Sequence, residues 1–217
     1  MGVPCFHRTA PERISLESNT TMKNLALVTL ALAATCAFAN NVTVQISSND
    51  LNLYGDNFGN QIRVDRVAVG VRITGLNGTR VNGLPSVMLA TGPLVNISAL
   101  MAGGNDLITM RNAANFGDLI IEAGAGNDVM NIIGCASDAN MNLKGEEGDD
   151  RIVVSNSSAS GDISLDGGQG ANFLSGNVLT AGFGVTALGG ERNDRIDFRS
   201  IITGGDLAIS SDKGDDI

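Results

Sequence analysis

Six tripeptides of this chain lie on one ruler of 22 residues: Gly104-Asn105-Asp106, Gly126-Asn127-Asp128, Gly148-Asp149-Asp150, Gly170-Ala171-Asn172, Arg192-Asn193-Asp194 and Gly214-Asp215-Asp216. A fixed period of this length is the signature of a solenoid, in which each repeat is one coil that buries its apolar face only by stacking on its neighbours.

The rest of each repeat keeps the same register. One column reads Ile97, Leu119, Met141, Ile163, Val185, Leu207, and a second, two residues on, reads Ala99, Ile121, Leu143, Leu165, Ala187, Ile209. Mostly polar residues alternate with them, among them Ser98, Asn142, Ser164 and Thr186, then Glu122, Lys144, Asp166 and Ser210. Alternation with period two is a strand with one buried face. After the acidic turn a second strand follows, with Ile108, Met130, Ile152, Leu174 and Ile196 facing inward, then Met110, Ile132, Val154, Gly176 and Phe198. The expected fold is all-β: a parallel β-solenoid of 22-residue coils, as a β-roll or right-handed β-helix.

The chain divides into four parts. Residues 1–21 share no periodicity with the rest and read as an upstream extension. Residues 22–39 have the layout of a signal peptide: the short charged start Met22-Lys23-Asn24, the apolar run Leu25–Ala34, and the small-residue site Ala37-Phe38-Ala39 with cleavage expected before Asn40. The apolar run is too short for a transmembrane span. The mature chain is therefore expected to be secreted, either extracellular or at the cell surface. Residues 40–95 read as a cap and two degenerate coils. Val42, Val44 and Ile46 alternate as a first strand, and Val67, Val69, Val71 and Ile73 alternate as another. Between them Gly55-Asp56-Asn57-Phe58-Gly59-Asn60-Gln61-Ile62 resembles the acidic turn, with Gln61 taken as the residue that replaces the acid. Residues 96–217 are the regular repeats. They stop just after a turn, which predicts either a further C-terminal domain or end-to-end self-association.

Of 14 basic and 23 acidic residues in the chain, the first 39 positions hold three and two, which leaves a net charge of −10. That balance argues against nucleic acid and anionic membrane surfaces as partners and favours cations. Cys135 is the one cysteine remaining after cleavage, in a column of small or apolar residues, so no disulfide framework is expected.

The turn column holds Asp106, Asp128, Asp150, Asn172, Asp194 and Asp216, preceded by Asn105, Asn127, Asp149, Ala171, Asn193 and Asp215. Neighbouring coils are ~4.8 Å apart. Two carboxylates at that spacing repel by roughly 3–4 kcal/mol at an effective dielectric of about 20. A cation between the rungs removes this cost, and calcium, with oxygen ligands at ~2.3–2.6 Å, reaches both. The glycines beside the acids, Gly124, Gly126, Gly145 and Gly148, permit turns whose carbonyls serve as further ligands. The alternative is an Asn/Asp ladder that hydrogen-bonds the turn backbone without metal. For the pair 172–194 the two readings stand level, because Arg192 offers a positive charge of its own.

These turns resemble the calcium-binding RTX (hemolysin-type) repeat, G-G-x-G-x-D-x-U-x. Gly124-Ala125-Gly126-Asn127-Asp128-Val129-Met130 fits from the second position, and Gly145-Glu146-Glu147-Gly148-Asp149-Asp150-Arg151-Ile152 departs only at the second glycine. Gly167–Leu174 has Asn172 for the acid, and Gly189–Ile196 has Arg192 for a glycine. The resemblance covers roughly residues 101–217. It implies calcium held by Asp106, Asp128 and Asp150, together with Asp194 and Asp216, and by loop carbonyls. The family carries two such turns per coil, whereas here the opposite turn (Phe116-Gly117-Asp118 and its equivalents) lacks the full loop.

Catalysis is not expected. The segment after residue 39 has no histidine and no G-x-S-x-G, and Cys135 has no partner base. The dense patch Arg192, Asp194, Arg195, Asp197 and Arg199 suits an acidic sugar, which leaves a β-helical polysaccharide-binding or polysaccharide-degrading protein as the second reading. Ice binding needs a file of threonines, and Ile120, Asn142, Ser164, Thr186 and Ala208 do not supply one. The expectation is a secreted, calcium-binding structural or adhesive module, with cell-surface or extracellular polysaccharide as a further partner.

Overall fold

The computed structural model describes residues 40–89 and 92–217, and every element in it is a β-strand. Residues 1–39, where the upstream extension and the signal peptide are expected, lie outside the described residues. Two sheets, of nine and ten strands, face each other across one core. No helix among the described residues is long and apolar enough to cross a membrane.

The regular coils are built as the period demands. In the first sheet Ile97–Leu100, Leu119–Ala125, Met141–Glu147, Ile163–Asp166, Val185–Leu188 and Leu207–Ser210 pair in parallel. In the second, Leu107–Arg111, Val129–Ile133, Arg151–Ala159, Phe173–Ala181 and Arg195–Thr203 do the same. Leu119 stands opposite Met141 and Met130 opposite Ile152, a shift of 22 residues at each step. Like side chains therefore stack on like, and the inward columns are fully buried from Ile97 to Val185 and from Ile108 to Leu174. Leu207 and Ile209 occupy the same columns but are about half exposed, since no described coil covers them.

Each regular coil from Ile97 onward has a third short strand that periodicity alone did not separate. Ala114–Asn115 and Ala136–Ser137 pair in parallel, and the far ends of the longer second-sheet strands continue the series. The corner before it is a column of left-handed residues: Asn112, Gly134, Asn156, Val178 and Ser200, with φ of 53°, 64°, 49°, 55° and 55°. Glycine and asparagine accept this conformation readily; a β-branched valine does not.

Residues 40–95 make the end of the stack, but differently from the expectation. Asp50–Tyr54 and Gln61–Val67 form one true coil, in register with Ile97–Leu100 and Leu107–Arg111. The chain then leaves the coil path. Gly70–Gly75 folds back antiparallel on Gln61–Val67, Ser86–Leu89 adds to it, and Asn41–Ser47 runs antiparallel to Asp50–Tyr54. Val67 to Ile73 is thus a hairpin and not one strand; Val69 sits in its turn and is 69% exposed. The break in period is the length of chain spent on this antiparallel edge, which ends the two sheets on the short strands Arg80–Val81 and Ser86–Leu89. Thr79 and Asn82 complete it: Thr79 Oγ1 accepts the Gln61 amide at 2.8 Å, and Asn82 brackets Val44 with bonds of 2.8 and 3.0 Å.

Candidate metal centre

The turn residues of each coil divide into an inner and an outer file. Asp106, Asp128, Asp150, Asn172 and Asp194 are 1–3% exposed, so the acids of the motif point into the protein. Their Oδ1 atoms are all engaged. Each accepts the main-chain N–H of the equivalent residue one coil earlier: Asp128 from Asp106 at 2.6 Å, Asp150 from Asp128 at 2.8 Å, Asn172 from Asp150 at 2.8 Å, and Asp194 from Asn172 at 2.7 Å. Asp216 extends the file by accepting from Asp194 at 2.8 Å. At the other end Asp106 accepts from Asn60 at 2.5 Å. Asn60, and not Gln61, is therefore the residue that replaces the acid in the first coil; Gln61 pairs with Leu107 and belongs to the following strand.

Asn105, Asn127, Asp149 and Asn193, one residue earlier, are exposed and form the outer file. Their bonds run the opposite way, each Oδ1 accepting from the next coil: Asn127 N to Asn105, Asp149 N to Asn127 and Ala171 N to Asp149 at 2.8–2.9 Å, and Asp215 N to Asn193 at 3.0 Å. A third file lies on the opposite turn, where the sequence showed only a glycine- and aspartate-rich column. There Asn96 accepts from Asp118, Asp118 from Asn140, Asn140 from Asp162, and Asp162 from Gly184, at 2.7–3.0 Å. The signal for it was present in the 22-residue spacing of those short polar side chains.

The glycines allow the turns to stack this closely. Gly124, Gly126 and Gly148 have φ of 95°, 142° and 130°. A Cβ on Gly126 or Gly148 collides with the carbonyl oxygen of the glycine one coil earlier. Arg192 departs from this column in its backbone: it is not among the residues of positive φ, whereas Gly126, Gly148 and Gly170 all are. The Arg192 side chain is exposed and makes no ion pair with the buried Asp194. Burial of Asp194 also removes it from the charged surface patch, where Arg199 pairs with Asp197 at 2.9 and 3.0 Å beside a shallow groove formed with Ser175, Gly176 and Asn177.

What remains is the second carboxylate oxygen. Oδ2 of Asp106, Asp128, Asp150 and Asp194 is buried and has no hydrogen-bond partner. Beside Gly145, Oδ2 of Asp150 and the carbonyl oxygen of Gly167 crowd the single point where a Cβ would stand. Two acceptors crowded at one point leave a large penalty unless a proton or a cation lies between them. Burial accordingly pushes the carboxyls of Asp106 and Asp150 up to about 7 and that of Asp128 to about 6, against the partial relief of the amide bond each accepts; Asp194 is raised for the same reason. Orphaned hard oxygens beside main-chain carbonyls fit calcium. Among the described residues no three Asp, Glu, His or Cys side chains converge on one point, so an ion here would need most of its ligands from the main chain and water.

Cys135 is 1% exposed, with its thiol pushed up by burial and its Sγ directed at main-chain oxygens, as a small core residue. No family model, curated protein or solved structure matches this chain.

Proposed function

We propose that this protein is an extracellular structural solenoid whose stacking is completed by calcium along the inner acidic file. The observation that carries the reading is the set of four buried, unpartnered Oδ2 atoms of Asp106, Asp128, Asp150 and Asp194, which share one column of the 22-residue repeat. Asp106, Asp128 and Asp150 would hold the ions together with loop carbonyls such as that of Gly167, and Asp194 with Asp216 would form a separate group. The role of the metal is electrostatic: it neutralises acceptors that the fold brings together without donors. The layout of residues 22–39 supports placement outside the cell, where calcium modules work with dissociation constants of roughly 0.1–1 mM. The outer face of the second sheet supports an adhesive role toward acidic polysaccharide, because Arg151 lies 4.4 Å and Arg195 5.6 Å from the ring of Phe173 in an otherwise acidic chain.

Because an ion binds the stacked loops and not the unfolded chain, calcium at ~100-fold over its dissociation constant adds about 2.7 kcal/mol per independent site. Thermal unfolding followed by circular dichroism, in EDTA and in millimolar calcium, tests this. Identical curves overturn the calcium reading.

A further inference from the structure

We infer that Asn172 is a metal-independent clasp that divides the inner file into two groups of calcium sites, Asp106–Asp150 and Asp194–Asp216, which fill separately. The inference rests on the calcium reading above and adds to it where the metal does not go.

Asn172 sits in the file as its acidic neighbours do. It is 2% exposed, and its Oδ1 accepts the Asp150 amide at 2.8 Å. The difference lies in the second polar atom. Nδ2 of Asn172 donates to the carbonyl oxygen of Gly189 at 3.0 Å and to that of Gly170 at 3.3 Å. Of the five buried members from Asp106 to Asp194, it is the one whose second polar atom has a partner.

The two coils can be compared atom for atom. Beside Gly145 the point of closest crowding is shared by Asp150 Oδ2 and Gly167 O; beside Gly167 it is shared by Asn172 Nδ2, at 2.7 Å, and Gly189 O, at 2.6 Å. The amide nitrogen stands where the carboxylate oxygen stands, and it faces the same type of carbonyl. Its N–H supplies there the positive charge that a calcium ion supplies in the acidic coils. An ion placed against Asn172 meets donor hydrogens in place of a lone pair, so this coil is closed to metal. Asp150 then has an acidic neighbour on one side only, and the join between the coils of Asn172 and Asp194 holds in the absence of calcium.

The test uses calcium alone as probe, with titration calorimetry and thermal unfolding of wild type, Asn172→Asp and Asp150→Asn. Wild type is expected to take up calcium in two phases. Asn172→Asp should bind at least one more ion per chain, merge the phases, and unfold at a lower temperature than wild type in EDTA. Asp150→Asn keeps the Oδ1 acceptor and adds a donor; it should bind fewer ions and raise the midpoint in EDTA by about 2–4 °C, the effect of one added hydrogen bond in a chain of this size. If wild type binds calcium but neither substitution changes the number of ions, the inference is overturned while the calcium reading stands. If wild type binds none, the calcium reading is overturned and the inference with it. Should Asn172→Asp not fold, Asp150→Asn decides alone, and an unchanged midpoint in EDTA counts against the clasp.

Discussion

Asn127 and Asp128 are adjacent in sequence and reach in opposite directions along the stack. Asp128 accepts the amide of Asp106 from the coil before, at 2.6 Å, and Asn127 accepts the amide of nothing in that coil but offers its oxygen to Asp149 N in the coil after, at 2.9 Å. A turn with this pair is tied to both neighbours by side chains, in addition to the sheets on either side. Hydrogen bonds to neutral acceptors contribute roughly 0.5–1.5 kcal/mol and to charged ones about 1.5–3. Repeated every coil, they favour stacking in register, because a slip of one residue breaks both files at once.

The inner file makes stability depend on pH in an unusual direction. Carboxyls raised to about 6 or 7 keep their protons in the folded chain to a higher pH than in the unfolded one. Their contribution is therefore fully present below about pH 4 and is lost as the pH rises toward 7. In EDTA, denaturation midpoints should fall between pH 4.5 and 7.5, and Asp150→Asn should flatten that fall. Saturating calcium should reverse it, since the ion displaces the proton. An equal slope in wild type and Asp150→Asn assigns the effect to net charge and not to this file.

Asp128 has acids in the coils on both sides, Asp106 and Asp150, whereas Asp194 has Asn172 on one side and Asp216 on the other. Asp128→Asn should thus lower calcium affinity more than Asp194→Asn. The amide form retains the Oδ1 acceptor, so calorimetric titration reads metal and not collapse of the ladder. Equal losses would mean that neighbouring acids do not share ions.

Much of this architecture was legible because side-chain period and coil period are both encoded in single residues. Ile97, Leu119 and Met141 declare the buried face, and Asp128 with Asp150 declares the turn. Three things were not legible. Nothing in Gly-Asn-Asp distinguishes an acid facing solvent from one facing the core; that depends on the turn conformation set by Gly124 and Gly126. The excursion of residues 68–95 followed no period, so Val67–Ile73 passed for a strand when its centre is a hairpin turn. The left-handed corner at Asn112, Gly134, Asn156, Val178 and Ser200 was hidden by its mixed composition.

That corner yields a stabilising substitution. Val178 has φ of 55° and is 47% exposed, so it holds a strained backbone while burying only part of its side chain. Left-handed geometry costs an L-residue roughly 1–2 kcal/mol, most for a β-branched one. Asn156 occupies the same corner one coil earlier with φ of 49°. Val178→Asn should raise stability by about 1 kcal/mol, read as a higher midpoint in chemical denaturation. A loss of stability places the corner elsewhere.

Ile152 and Arg151 test the register of the whole stack. Ile152 is fully buried, between Met130 in one coil and Leu174 in the next, and its truncation to alanine should cost ~2–5 kcal/mol. Arg151 points outward, with its guanidinium over Phe173 at 4.4 Å, an exposed cation–π contact of about 0.5–1 kcal/mol. Arg151→Ala should therefore cost no more than that amount, and the loss should vanish in a Phe173→Ala background. Strand side chains alternate, so an error of one residue exchanges the two outcomes. Equilibrium denaturation showing a tolerant Ile152 and a sensitive Arg151 would overturn the inward columns on which the solenoid is built.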